Sequence, residues 1–155
     1  MRLVSCVLLC AAVCLAGCKA TPPSSSETRV ITFAEHHLLV GNRAQKNPLP
    51  SDARTWADGK EAFSHYCVAC HGMDGRNTGV PFADRMSPSV PQLNSPQVQQ
   101  FTDGQLKWIL DNGIAPSGMP GSKGVLSDDE LWAIIVFIRR LPPAGSQGIQ
   151  EIYTH

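Results

Sequence analysis

The sequence predicts an all-α domain of three to four helices joined by long loops. Two observations carry this. Helix-start signals precede apolar-periodic runs at Asp52, at Thr102 with Gln105, and at Ser127 with Glu130. The stretches between those runs are rich in Gly, Pro, Asn and Ser, and no internal repeat is present. A third observation concerns what fills the middle. Three Trp, two Tyr and five Phe in 155 residues give a modest core, and small domains of this kind commonly need a staple or a cofactor.

The chain opens on Arg2 and a short apolar run from 3 to 17 that ends in Leu15-Ala16-Gly17-Cys18. About 20 apolar residues are needed to span a bilayer, so the run reads as a cleaved export signal. Its last four residues resemble a bacterial lipobox, with residues 1–17 removed and Cys18 acylated. An ordinary secretory signal cut elsewhere, or an uncleaved anchor, are the alternatives. Cys6, Cys10 and Cys14 lie in the removed run, leaving Cys18, Cys67 and Cys70. That odd count suits no disulfide framework, but it fits one lipidated cysteine and two with another task.

Residues 18–50 read as a lipid-anchored tether and lead-in. The stretch Ala20-Thr21-Pro22-Pro23-Ser24-Ser25-Ser26 is small, polar and proline-rich, hence extended and solvated. A short strand is expected at 30–33, and Asn47-Pro48-Leu49-Pro50 marks the domain edge. The domain itself spans 51–143, followed by a C-terminal tail at 144–155. Its first helix runs from about Ala53 to Tyr66, carrying Trp56 and Phe63. The second opens at Thr102, places Leu106, Ile109 and Leu110 on one face, and closes at Asn112-Gly113. The third opens at Ser127 with an acidic first turn of Asp128, Asp129 and Glu130, and extends to about Leu141 before Pro142-Pro143. Thirteen Lys and Arg balance thirteen Asp and Glu, so a nucleic-acid partner is not expected.

The decisive motif is Cys67-Val68-Ala69-Cys70-His71, the Cys-x-x-Cys-His sequence that attaches haem c. Two thiols at this spacing add to the vinyl groups of one porphyrin, and the adjacent imidazole becomes the proximal iron ligand. A thioredoxin-like pair would need a βαβ setting. A zinc site would need a second ligand pair. A plain Cys67–Cys70 disulfide would leave His71 unexplained. Haem is attached to such proteins after export, which agrees with the leader.

From about residue 51 to 143 the chain resembles the class I monohaem cytochromes c, in particular small bacterial domains that begin Cys-x-x-Cys-His-Gly. The resemblance implies the cytochrome c fold, with three to four helices and long loops wrapped around one haem c. It implies a crossing of the first and last helices, at which Gly59 and Phe63 meet Ile134, Phe137 and Ile138. Gly59 costs roughly 0.5–1 kcal/mol inside a helix, so close backbone approach is a reasonable motive for it.

For the distal iron ligand the residues offer Met73, Met86, Met119, His36, His37, His65 and His155. Met73 is too near His71 to reach the opposite face, and His65 sits on the helix entering the motif. Met86 lies in a loop expected on the proximal side, while Met119 lies in a Gly-Met-Pro loop between the second and third helices. The resemblance implies Met119, with Met86 as the alternative. It also implies that the Pro91 carbonyl in Pro91-Gln92-Leu93 holds the His71 ring, with Pro88 as the alternative, and that Leu93 packs on the porphyrin. Trp108 either reaches a haem propionate or pads the core.

A His/Met pair saturates iron and favours outer-sphere electron transfer over bond-making chemistry. No other catalytic constellation is visible, and an enzyme is not expected. The expected function is one-electron transfer in an extracytoplasmic respiratory chain, by a lipoprotein anchored in a bacterial membrane on its periplasmic side or at the cell surface. The expected partners are redox proteins, in particular membrane-bound respiratory complexes, and the lipid bilayer through Cys18. A permanent electron-entry subunit of a larger oxidoreductase is the alternative, followed by a haem sensor or enzyme with a dissociable Met.

Overall fold

The computed structural model describes residues 40–114 and 117–154. The export signal at 1–17, Cys18, the strand expected at 30–33, His36, His37 and His155 lie outside the described residues. Helix α1 (Ala53–Tyr66) starts where Asp52 accepts a hydrogen bond from the Thr55 amide at 2.8 Å. A single turn, α2 (Val68–His71), follows it directly, and α3 (Pro96–Gln99) starts on a Ser95 cap with Pro at its first position. Helix α4 (Asp103–Asn112) and helix α5 (Asp128–Arg139) both open on complete capping boxes, Thr102 with Gln105 and Ser127 with Glu130. Between them β1 (Gly113–Ile114) and β2 (Met119–Pro120) form a small antiparallel pair, with Gly113 opposite Pro120 and Ile114 opposite Met119. Single 3-10 turns stand at Ala83–Arg85 and Glu151–Tyr153.

Three of these helices match their caps in the sequence. The last is shorter than its pattern, ending at Arg139 rather than near Leu141. Leu141 precedes Pro142, and the proline ring disfavours the helical conformation in the residue before it. Arg140 has already left the helix, at φ −135° and ψ 53°. Its carbonyl accepts a 2.9 Å hydrogen bond from the Trp56 indole, which fastens the end of α5 to α1.

The core is built where α1 crosses α5. A β-carbon on Gly59 would stand 2.0 Å from the Ala133 carbonyl oxygen and 3.0 Å from the Ile134 nitrogen, so the backbones touch there. Beside that contact Phe63 and Phe137 pack with ring centroids 4.9 Å apart, and Trp56 lies 5.5 Å from Phe137. Ile134 and Phe137 are fully buried. Helix α4 closes one side through Leu106, Ile109 and Leu110.

Polar ties fix the other elements against this core. Lys107 is buried, with its ammonium 2.8 Å from both Asp111 and Asp128 and 5.7 Å from the Trp132 ring centroid. Burial alone would lower its pKa, but the hydrogen bonds to the two carboxylates outweigh that and raise it. The acidic start of α5 therefore does more than cap: Asp128 holds α5 to α4. Residues before α1 also pack on the domain. The Asn47 side chain donates to the Trp132 carbonyl at 3.0 Å, and Gly104 leaves room for the Asn42 carbonyl, which a β-carbon would meet at 2.0 Å. Among the described residues no helix is long and apolar enough to cross a membrane.

The crossing gives a test with opposed signs. Helix propensity alone makes Gly59→Ala stabilising by roughly 1 kcal/mol. The backbone contact makes it destabilising by about 3 kcal/mol, the upper end of ordinary overpacking penalties. Urea titration of the folded protein should show the loss; a gain would mean that the helices do not touch at residue 59.

Candidate functional site

Helix α1 delivers its last turn straight into the two-cysteine motif. The Cys67 amide still donates to the Phe63 carbonyl at 2.9 Å, and Cys67 in turn accepts from the Cys70 and His71 amides at 3.2 and 3.0 Å. Residues 67, 70 and 71 are thus i, i+3 and i+4 of one helical turn, and side chains at those offsets share a face. Gly72 ends the turn at φ +71°, where its missing side chain lets the chain reverse beneath the motif. Both thiols are free, with Cys67 half-buried and Cys70 exposed. Burial, with a smaller contribution from Cys70, pushes the Cys67 thiol up to about 12. Among the described residues no three His, Cys, Asp or Glu side chains could share a metal ion.

His71 is buried, at 8% exposure, and its Nδ1 has no partner in hydrogen-bond geometry. Burial lowers its pKa, while the nearby Pro91 carbonyl acts weakly in the other direction. A neutral imidazole results, the form a metal requires. The loop brings Pro91 there by a definite route. Asn77, in the left-handed region at φ +62°, receives the chain from His71 through a 2.8 Å bond from its amide to the His71 carbonyl. Its side-chain amide donates to the Val90 carbonyl at 2.7 Å. Leu93 then donates to the Gly75 carbonyl at 2.8 Å and buries its side chain in the core. Pro88 is exposed.

Met119 sits on β2, packed against the same hydrophobic cluster that backs Cys67 and Val68. Glycines permit this hairpin. A β-carbon on Gly113 would stand 2.4 Å from the Met119 carbonyl oxygen, and one on Gly121 2.5 Å from that of Asp111. Met86 brings its methyl group to 3.9 Å from where a Gly118 β-carbon would be. The two methionines therefore approach the same hairpin. Trp108 is half-buried, with its indole ring against Gly41 at 2.9 Å from a β-carbon position there. Met73 is half-buried and His65 is exposed.

The sequence reading passed over Asp74, which is 1% exposed and organises the loop after the motif. It accepts from the Arg76 amide at 2.9 Å, the Thr78 hydroxyl at 2.6 Å and the Gly145 amide at 2.8 Å. Burial would raise its pKa, but these hydrogen bonds outweigh burial and hold the carboxyl below its usual range. The signal was present as Asp-x-Arg-x-Thr, an arrangement in which a carboxylate can bond its own following backbone.

The family described as cytochrome c oxidase, cbb3-type, subunit III matches residues 54–138, more than half of the chain. The chain belongs to this family. It is a c-type cytochrome domain, which implies covalently bound haem c and haem-based electron transfer, and its helices and loops are those of the cytochrome c fold. No curated protein matches the chain. The residues at the motif fit this cytochrome's cofactor. Two thiols and an imidazole share one face of a turn, and the imidazole is buried with an orphaned ring nitrogen beside a carbonyl.

Proposed function

We propose that the protein is a single-haem electron carrier held at a membrane outside the cytoplasm. The observation that carries this is the helical turn on which Cys67, Cys70 and His71 share a face, at the end of a helix fixed by the Gly59 crossing. Cys67 and Cys70 would hold the haem through thioethers, His71 would be the proximal ligand and Met119 the distal one. When bound, the haem supplies a one-electron couple between ferric and ferrous iron. The protein's part is to hold that couple rigidly. The Pro91 carbonyl would accept a hydrogen bond from the His71 Nδ1–H, fixing the ring and leaving its other nitrogen for the metal. Leu93 and the cluster behind Cys67 and Met119 exclude water, and Trp108 pads the outer edge against Gly41.

The apolar run ending in Leu15-Ala16-Gly17-Cys18 supports export and acylation at Cys18, and export suits a haem attached outside the cytoplasm. With the iron saturated by His71 and Met119, the chain would act on no substrate of its own. Its partners would be redox proteins of a respiratory chain. The family's description as an oxidase subunit favours a second reading, in which the chain is a resident electron-entry subunit of a membrane complex.

Two experiments bear on these assignments. Met119→Ala should abolish the long-wavelength sulfur-to-iron charge-transfer band of the oxidised protein. It should also lower the potential by on the order of a few tenths of a volt, within the ~0.8 V that axial ligands span. Met86→Ala should leave the band in place; if Met86 controls it instead, the distal ligand is misassigned. Separately, wild-type protein should partition into detergent, and Cys18→Ser should abolish that partitioning or block cleavage. A Cys18→Ser protein that is processed and fractionates as wild type would remove the lipid anchor.

A further inference from the structure

After α5 the chain turns back and runs along the loop that carries the motif. The contacts follow in order. Leu141 fills the space over Gly75, where a β-carbon would meet it at 2.7 Å. The Pro142 carbonyl accepts from the Arg76 guanidinium at 3.3 Å, and the Gly145 amide donates to buried Asp74 at 2.8 Å. Ile149 lies over Gly79, 2.6 Å from a β-carbon position there. The Gln150 side-chain amide then donates to the Val68 carbonyl, and the Tyr153 hydroxyl donates to the Ala69 carbonyl at 2.6 Å. The Tyr153 ring meets Phe82 edge-on, with centroids 6.0 Å apart.

Two features show what this segment does. Its last contacts reach the carbonyls of the two residues between the cysteines, Val68 and Ala69, and so hold the part of the chain on which thiol placement depends. Beyond Pro143 it contributes nothing to the core: among residues 144–154 none is buried. Hydrogen bonds and the Ile149 seat over Gly79 fasten it, so it can open without unfolding the domain.

We propose that residues 142–154 form a strap across the attachment loop, in which Gln150 and Tyr153 are positioning residues that hold the Cys67–Cys70 turn. This rests on the reading of that turn as the haem attachment site, which it extends to a segment beyond the stretch matched by the family. Glycine at 79 is required twice over. Its φ is +75°, and a side chain there would collide with Ile149.

The test uses the full-length holoprotein, the variant lacking residues 144–155, and the double variant Gln150→Ala with Tyr153→Phe. The double variant leaves Asp74, its Gly145 contact and the core untouched. Hydrogen–deuterium exchange resolved along the chain should show the amides of 68–78 exchanging roughly thirtyfold faster in the double variant, the size expected from losing two ordinary hydrogen bonds, and at least as much faster in the truncation, which also loses Gly145 and Ile149. Exchange in α1, α4 and α5 should stay as in wild type. Unchanged exchange in 68–78, or an acceleration spread evenly over all helices, would overturn the strap. Absence of a haem spectrum from the wild type would overturn the haem reading instead. The exchange pattern would still report separately whether the segment holds the loop.

Discussion

The contact of Gly59 with the Ala133 carbonyl is the constraint on which the rest of this structure depends. There two helix backbones meet without an intervening side chain. The close approach brings Phe63 and Trp56 onto Phe137, and it sets the line along which α1 runs into Cys67. A wider crossing would move the turn bearing Cys67, Cys70 and His71 relative to the core that backs Met119. Placement of the functional face is thus a consequence of packing two helices at van der Waals distance. The small loss in helix propensity at Gly59 is offset by what the contact positions.

The loops are held by a different physics. Asn77 in a left-handed conformation, the buried Asp74 carboxylate and glycines at 72, 75 and 79 convert an irregular stretch into a fixed one. Each hydrogen bond there contributes only about 1 kcal/mol net. Their value lies in direction, since between them they carry Pro91 to His71 and bring the end of the chain onto Val68 and Ala69. A domain with few aromatic residues fixes its site this way because it has little apolar surface with which to do so.

What was legible in the sequence was local. Asp52, Thr102 with Gln105 and Ser127 with Glu130 announced three helices, because a cap acts within four residues of itself. Gly59 was legible because glycine inside a helix asks for a reason. The Cys-x-x-Cys-His spacing specified its own face, since offsets of three and four residues are a helical property. The choice between Pro91 and Pro88 was not legible, because it turns on Asn77 reaching Val90 across an aperiodic loop. The approach of Met86 to Gly118 was not legible for the same reason. The pairing of Lys107 with Asp128 joins residues 21 apart, and the strap reads as a plain tail because Gln150 and Tyr153 bond main-chain carbonyls, which leave no apolar period in the sequence.

The central claim is that Cys67 and Cys70 bind one haem covalently. Acid–acetone extraction of the exported protein, followed by its intact mass, tests it most directly. The colour should stay with the polypeptide, and the mass should exceed that of the processed chain and any lipid by one haem. Haem released into the organic layer, or a mass increment other than one haem, would contradict it.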